Sequence, residues 1–260
     1  MEFIHHTDGE ALSCASFEPT EPTEPTEPAS SASSASSAGT ARAGVVIMHG
    51  AGIGSKERSI PLARDFAAAG HPSLAFDFSG HGDSSGKPAE LSLERRFRQA
   101  LGVIEAFAPD GGPLALVGFS MSGQTVADLT SHLGGRVEAI CLCAPAAYGP
   151  EAWPVPFGDG FTELIRRPGS WRPSTVFDAL GAFTGRSVLV VPERDEVIPP
   201  EVTAGIEQAL RTKSRFSKVV LDGADHQLGR WLSDHPEHRA RLVDLCTRPH
   251  DPDHTDLART

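Results

Sequence analysis

Six short, almost wholly apolar runs recur along the chain, at 45–48, 74–78, 114–117, 139–143, 188–191 and 219–221. Strands this short and this uniformly apolar are buried on both faces, which happens when helices cover both sides of a parallel sheet. The intervening segments carry helical patterns at 60–69, 91–107, 124–133, 201–210 and 226–245, the last interrupted by Pro236. Strand and helix in alternation predict an α/β chain with a mostly parallel, doubly wound sheet. Before this rhythm starts, FIHHTDGEALSCASF alternates around Asp8-Gly9, the pattern of an antiparallel hairpin, so residues 1–17 are expected at one sheet edge.

Two segments break the pattern. Residues 18–43 repeat Glu-Pro-Thr and then Ser-Ser-Ala, with almost nothing to bury, and read as a low-complexity insertion. The main domain is then expected over 44–246, with a C-terminal tail at 247–260. Within it, the stretch from about 145 to 186 is too long for an ordinary connection and is rich in Pro, Gly and aromatics. It is expected to form a small lid holding Trp153, Phe157, Phe161, Trp171, Phe177 and Phe183.

Composition excludes several function classes. A formal net charge of −11 and the lack of any basic run argue against nucleic acid as a partner. No stretch approaches the ~20 apolar residues of a membrane span, and the first residues lack the charged and apolar regions of a signal peptide. Cys14, Cys141, Cys143 and Cys246 are too scattered for a disulfide framework or a zinc site, so a reducing, cytoplasmic location is expected.

In an open parallel sheet, ligands gather beyond the carboxyl ends of the strands. There the sequence places HGAGIG at 49–54, SGHGDSSG at 79–86, GFSMSG at 118–123, PERDEVIPP at 192–200 and DGADHQL at 222–228. Gly118-Phe-Ser120-Met-Ser122 fits a sharp strand-to-helix turn that exposes its central side chain, with Gly118 and Ser122 small enough to pass each other. On this reading Ser122 serves by being small. Serine opening a helix is also an ordinary N-cap. A nucleophilic Ser120 needs a base and a group to orient it, and Asp195 and His226 each follow a late strand. Taken singly, Asp195 could be a loop cap and His226 a helix-start residue.

Together these motifs resemble the α/β-hydrolase superfamily over about residues 44–246. HGAG at 49–52 is similar to its oxyanion loop, DFSGHGDSSG at 77–86 to its Asp-x-x-Gly-His-Gly-x-Ser turn, and GFSMSG to its nucleophile elbow. ERDEVIP at 193–199 resembles the acid loop and GADH at 223–226 the histidine loop, in the chain order of this superfamily. The resemblance implies Ser120 as nucleophile, His226 as base and Asp195 as its orienting acid, with the backbone N–H groups of Ala51 and Met121 as oxyanion hole. It implies no metal or organic cofactor. His49 and His81 would tie loops together, and Asp77 would hold the Gly80–Gly82 turn. Two departures stand out: Ser122 where glycine is commoner, and Pro192 where the acid loop usually begins with glycine, which leaves Glu193 or Glu196 as alternative acids.

The function implied is hydrolysis of a small-molecule carboxylic ester through an acyl-enzyme, with Trp153, Phe157 and Trp171 of the lid contacting substrate. A thioesterase or acyltransferase would use the same triad, and a non-catalytic binding protein could use the same fold. The lid aromatics could equally form a satellite core. Arg166, Arg167 and Arg172 could bind a substrate carboxylate or a phosphopantetheine arm, or lie on a solvated surface. Oligomeric state is not legible.

Overall fold

The computed structural model describes residues 1–19 and 42–248. The expected insertion and tail therefore lie almost wholly outside the described residues. The strands are β1 (Glu2–Thr7), β2 (Glu10–Phe17), β3 (Gly44–Met48), β4 (Ser73–Phe76), β5 (Leu114–Phe119), β6 (Val137–Cys143), β7 (Arg186–Arg194) and β8 (Arg215–Asp225). The helices are α1 (Ile60–Ala68), α2 (Leu93–Phe107), α3 (Ser122–Leu133), α4 (Phe161–Ile165), α5 (Val176–Ala182), α6 (Pro200–Leu210), α7 (Leu228–Asp234) and α8 (Pro236–Thr247).

The strands form one sheet in the order β1-β2-β4-β3-β5-β6-β7-β8. β1 and β2 are an antiparallel hairpin, and β2 also runs antiparallel to β4. All other pairs are parallel. The hairpin turn places Asp8 and Gly9 at φ +52° and +75°, the twist that a two-residue turn between right-twisted strands requires.

Side chains alternate across the sheet with the two-residue period of a strand. Val46 and Met48 of β3 face one core with Leu74, Phe76, Leu114 and Leu116, covered by α2, α3, α5 and α6. Val45 and Ile47 face the other with Val117, Ala139 and Val188, covered by α1, α7 and α8. Both layers are packed with buried apolar side chains, which explains why the strands read as continuous apolar runs. Local chemistry sets the helix starts: the Ser92 hydroxyl accepts from the Arg95 amide at 3.1 Å to cap α2. Pro236 opens α8 and separates it from α7, as the interrupted helical pattern implied.

Between β6 and β7 the chain leaves the sheet to form α4 and α5. Part of this excursion has its own small core of Ala152 and Phe161 against Leu93 of α2 and Met121 beside the elbow.

Candidate active site

β5 runs into α3 through a turn whose middle residue, Ser120, sits at φ +50°, a conformation that costs a non-glycine residue about 1–3 kcal/mol. The surroundings hold it there. The Ser120 amide donates to Cys143 at 2.9 Å, and its carbonyl accepts from Gly123 and Ala146 at 2.8 and 3.0 Å. The small residues are steric necessities: a Cβ on Gly118 would lie 2.7 Å from the Ser122 carbonyl oxygen, and one on Gly123 2.6 Å from Pro145. The strain keeps the Ser120 side chain at the tip of the turn, beyond the carboxyl end of the sheet.

The Ser120 hydroxyl lies 2.9 Å from Nε2 of His226, which follows β8. Nδ1 of the same ring lies 3.1 and 3.0 Å from the two carboxylate oxygens of Asp195, at the end of β7. Asp195 is oriented in turn by the amides of Val197 and Ile198, which donate to Oδ1 at 2.9 and 3.0 Å. Partial burial pushes the Asp195 carboxyl pKa up, but the His226 hydrogen bond and these two amides outweigh it and hold the group below its ordinary value. The carboxylate is thus ionised beside the imidazole. β7 continues through Pro192 to Arg194, with its register against β8 shifting between these two residues just before Asp195. The alternative acids lie elsewhere: Glu193 accepts from the Gly223 amide at 2.6 Å, bracing the acid loop against the histidine loop, and Glu196 is exposed.

The loop after β3 is fixed at two successive carbonyls. Nε2 of His49 accepts from the Phe78 amide at 3.1 Å, so its proton is on Nδ1 and is donated to the Gly50 carbonyl at 2.6 Å. Burial, with the positive Arg96 nearby, holds the His49 pKa well below its ordinary value, which keeps the ring neutral for this double role. Because C=O and N–H of one trans peptide point in opposite directions, pinning the Gly50 carbonyl aims the Ala51 N–H the other way. Neither the Ala51 nor the Met121 amide donates to a protein acceptor among the described residues. Both flank Ser120 in one cavity. Two unsatisfied donors flanking one serine hydroxyl have the geometry that an oxyanion hole needs.

The His49 carbonyl has partners that sequence reasoning missed. Nη2 of Arg96, on α2, donates to it at 2.7 Å and to the Ser122 hydroxyl at 2.7 Å. Ser122 donates to the same carbonyl at 2.6 Å. Arg96 is fully buried, stacks on Phe78 at 3.7 Å, and has Nε and Nη1 without hydrogen-bond partners. Burial pushes its pKa down to about 9, which leaves it charged at neutral pH. Ser122 is therefore more than small: its hydroxyl joins elbow, oxyanion loop and α2. Asp77, expected to hold the Gly80–Gly82 turn, also bridges to the loop after β3, and the His81 ring packs 4.8 Å from that of His49 while bonding within its own loop. Asp77 accepts from the Lys56 amide at 2.6 Å, and the His81 ring bonds the Ser79 carbonyl at 3.0 Å.

Two cavities meet at Ser120 and Ala51. A narrow cleft of about 70 Å³ is lined by His226, Gln227, Leu228 and Arg58. A larger cavity of about 760 Å³ runs under the excursion, past Met121, Tyr148, Phe157, Phe161 and Trp171. Phe157 and Trp171 are thus brought to the site. Trp153 is not among the residues lining this cavity; its ring packs 5.8 Å from Phe97 of α2, in the satellite core. Phe183 is buried in the main core, and Phe177 packs edge-on against Trp171 at 6.0 Å. Gln124 ties the excursion to α3, its Oε1 accepting from the Tyr148 amide at 3.0 Å and the Ser174 hydroxyl at 3.3 Å.

A strained serine between β5 and α3, with an aspartate after β7 and a histidine after β8, is the arrangement of the α/β-hydrolases. The family model described as serine aminopeptidase, S33, matches residues 39–175, just over half of the chain. The chain belongs to that family. Comparison with proteins of curated function returns no match. Among solved structures, the chain is similar to Est1E from Butyrivibrio proteoclasticus with ferulic acid bound, at TM-score 0.65 and 16 % identity over 93 % of this chain and 97 % of that one. It is similar to the thioesterase domain from the curacin biosynthetic pathway at TM-score 0.65 and 16 % identity, covering 94 % and 98 %. A thermophilic esterase from Thermogutta terrifontis, malate bound, gives TM-score 0.65 and 14 % identity, covering 94 % and 96 %. At these identities the structural likeness speaks for the fold alone. No helix among the described residues is long and apolar enough to cross a membrane.

Proposed function

We propose that this protein is a serine hydrolase that cleaves a carboxylic ester through an acyl-enzyme. The observation that carries this reading is the continuous chain from the Ser120 hydroxyl through His226 to Asp195, with contacts of 2.9 and 3.0 Å. His226 Nε2 takes the Ser120 proton as the oxygen attacks the acyl carbon, and Asp195 stabilises the imidazolium through Nδ1. The amides of Ala51 and Met121 receive the tetrahedral oxyanion, the second aided by the N-terminus of α3. His226 then hands its proton to the departing alkoxide, and water, activated by the same ring, attacks the acyl-enzyme and frees Ser120.

Esterases and a thioesterase domain among the structural neighbours support acyl transfer to water as the reaction class. The four buried, unbridged cysteines fit a reducing compartment. The test is covalent labelling by a fluorophosphonate together with turnover of a panel of esters and thioesters graded in size. The wild-type protein should be labelled at Ser120 and hydrolyse esters, and Ser120→Ala should do neither. Labelling elsewhere, or ester turnover that survives Ser120→Ala, refutes the assignment.

A further inference from the structure

We propose that the acyl group delivered to Ser120 carries a carboxylate remote from the scissile carbonyl, bound by Arg166 and Arg167. This rests on the reading of Ser120 as the acyl acceptor and goes on to specify which acyl group. The lining of the large cavity begins at Ser120, Ala51 and Met121 and extends to these two arginines, which follow α4. It contains no aspartate or glutamate, in a chain whose net charge is −11. Neither guanidinium has a hydrogen-bond or ion-pair partner among the described residues, and the exposed Glu163 of α4 pairs with neither. Other exposed arginines either face carboxylates, as Arg98 faces Asp8 and Glu94, Arg194 faces Glu193 and Arg211 faces Glu207, or, like Arg64, Arg172, Arg215 and Arg230, have no ion pair among the described residues but do not line this cavity. Two adjacent uncompensated forks facing a cavity set up a positive potential there, and their planar geometry suits a carboxylate.

The cavities assign the charge to the acyl side. A leaving group must approach His226 Nε2 to take its proton, and His226 lines the narrow cleft and not the large cavity. The scissile carbonyl therefore lies where the two meet, at Ser120 and Ala51, with the acyl chain directed into the larger space. Phe157, Phe161, Ile165 and Ile198 line the way, so the segment between carbonyl and carboxylate is apolar, alkyl or aryl. The substrate class is a half-ester or half-thioester of a dicarboxylic acid.

The experiment compares three esters: the para-nitrophenyl half-ester of adipic acid, para-nitrophenyl hexanoate, and the hexanoyl ester of para-hydroxybenzoate. The wild-type protein should prefer the adipate half-ester to the hexanoate by on the order of tenfold in kcat/KM, a preference that falls with added salt. The R166Q/R167Q double variant should bring that ratio close to unity. In parallel, calorimetry on Ser120→Ala should show monoethyl adipate binding more tightly than ethyl hexanoate, and this difference should vanish when both arginines are also replaced. A wild-type ratio at or below unity, or one the double variant leaves unchanged, overturns the proposal. Preference for the para-hydroxybenzoate ester moves the charge to the leaving group and overturns the acyl assignment. Failure to turn over any ester sinks the reading of Ser120 instead, and the binding comparison then decides the arginine site by itself.

Discussion

Replacing Ser122 by alanine keeps the turn's steric requirement and removes only a hydroxyl, so its effect isolates what that hydroxyl holds. In the folded protein it accepts from Arg96 at 2.7 Å and donates to the His49 carbonyl at 2.6 Å. The loss falls on a buried cation that already has Nε and Nη1 unpartnered and no carboxylate near it. A hydrogen bond to a charged group contributes about 1.5–3 kcal/mol. For a domain of this size that corresponds to a fall of about 3–12 °C in Tm. The carbonyl keeps its bond from Arg96, so the Ala51 amide should loosen without being lost, and kcat should drop by less than about tenfold with KM little changed. The decisive measurement is a double-mutant cycle in thermal unfolding with Arg96→Met, which deletes the charge and keeps most of the volume. Ser122→Ala should be much milder on that background. Equal losses on both backgrounds would mean that Arg96 is not the partner whose desolvation the serine offsets, and an unchanged Tm in the single variant would refute the clamp altogether.

Other outcomes follow from the same geometry. Asp195→Asn and His226→Ala should each lower kcat by about 10³-fold or more, while Glu193→Gln and Glu196→Gln stay within about tenfold; a large loss at Glu193 with Asp195→Asn near wild type would reassign the acid. Burial raises the Asp128 pKa from 3.8 to about 7 despite contacts of 3.0 and 3.1 Å from the Gln124 amide nitrogen. The folded state thus holds a proton the unfolded chain has lost, and this group's contribution to stability falls as pH rises from about 4 to about 7. Asp128→Asn should therefore raise Tm by an amount that grows across that window and levels off above it, and a pH-independent effect would contradict the burial argument. Phe157→Ala, at a residue that lines the cavity and also packs 4.6 Å from Phe161, should raise KM or change the preferred acyl group as well as lower Tm. Trp153→Ala, in the satellite core, should lower Tm and leave the ranking of substrates alone.

The sheet was legible in the sequence because each central strand is apolar on both faces, and because glycine, histidine, serine and aspartate gather after most of these runs, the one at 139–143 excepted. Hydrophobic burial and turn sterics are local rules, so β3, β5 and β6 lie where the runs put them, and the elbow around Ser120 follows from three small residues in a row of six. Less visible was the length of β8, which spans Arg215–Asp225 while only its middle reads as apolar. As an edge strand its outward positions, Lys218 and Val220 among them, are set by solvent and by pairing with β7, and not by burial. The excursion's aromatics were recognisable as a group, but their division between cavity wall and satellite core depends on the path of α4. No periodicity encodes that path, and so Trp153 could not be told from Phe157 in advance.

The arginine beneath the elbow was hidden for a different reason. Arg96 lies in LERRFRQAL, beside Arg95 and near Arg98, on a helix whose charged residues read as one solvated face. Arg95 does reach Asp8 at 2.7 Å across the hairpin, and Arg98 lies 3.6 Å from the same residue. Arg96 is one step, about 100° of helix rotation, from Arg95, which turns it inward toward β3. An inward arginine is costly unless something needs its donors. What needs them here is a loop with no regular secondary structure: the His49 carbonyl follows the last residue of β3 and has no strand partner, yet it must stay still if the next peptide is to aim the Ala51 N–H at a transition state. Ser122 in place of the commoner glycine supplies the second attachment. The departure from the family pattern at the elbow and the buried charge on α2 are therefore one feature seen from two elements, a pair that neither local propensity nor motif spacing could have joined before the fold brought them within 2.7 Å.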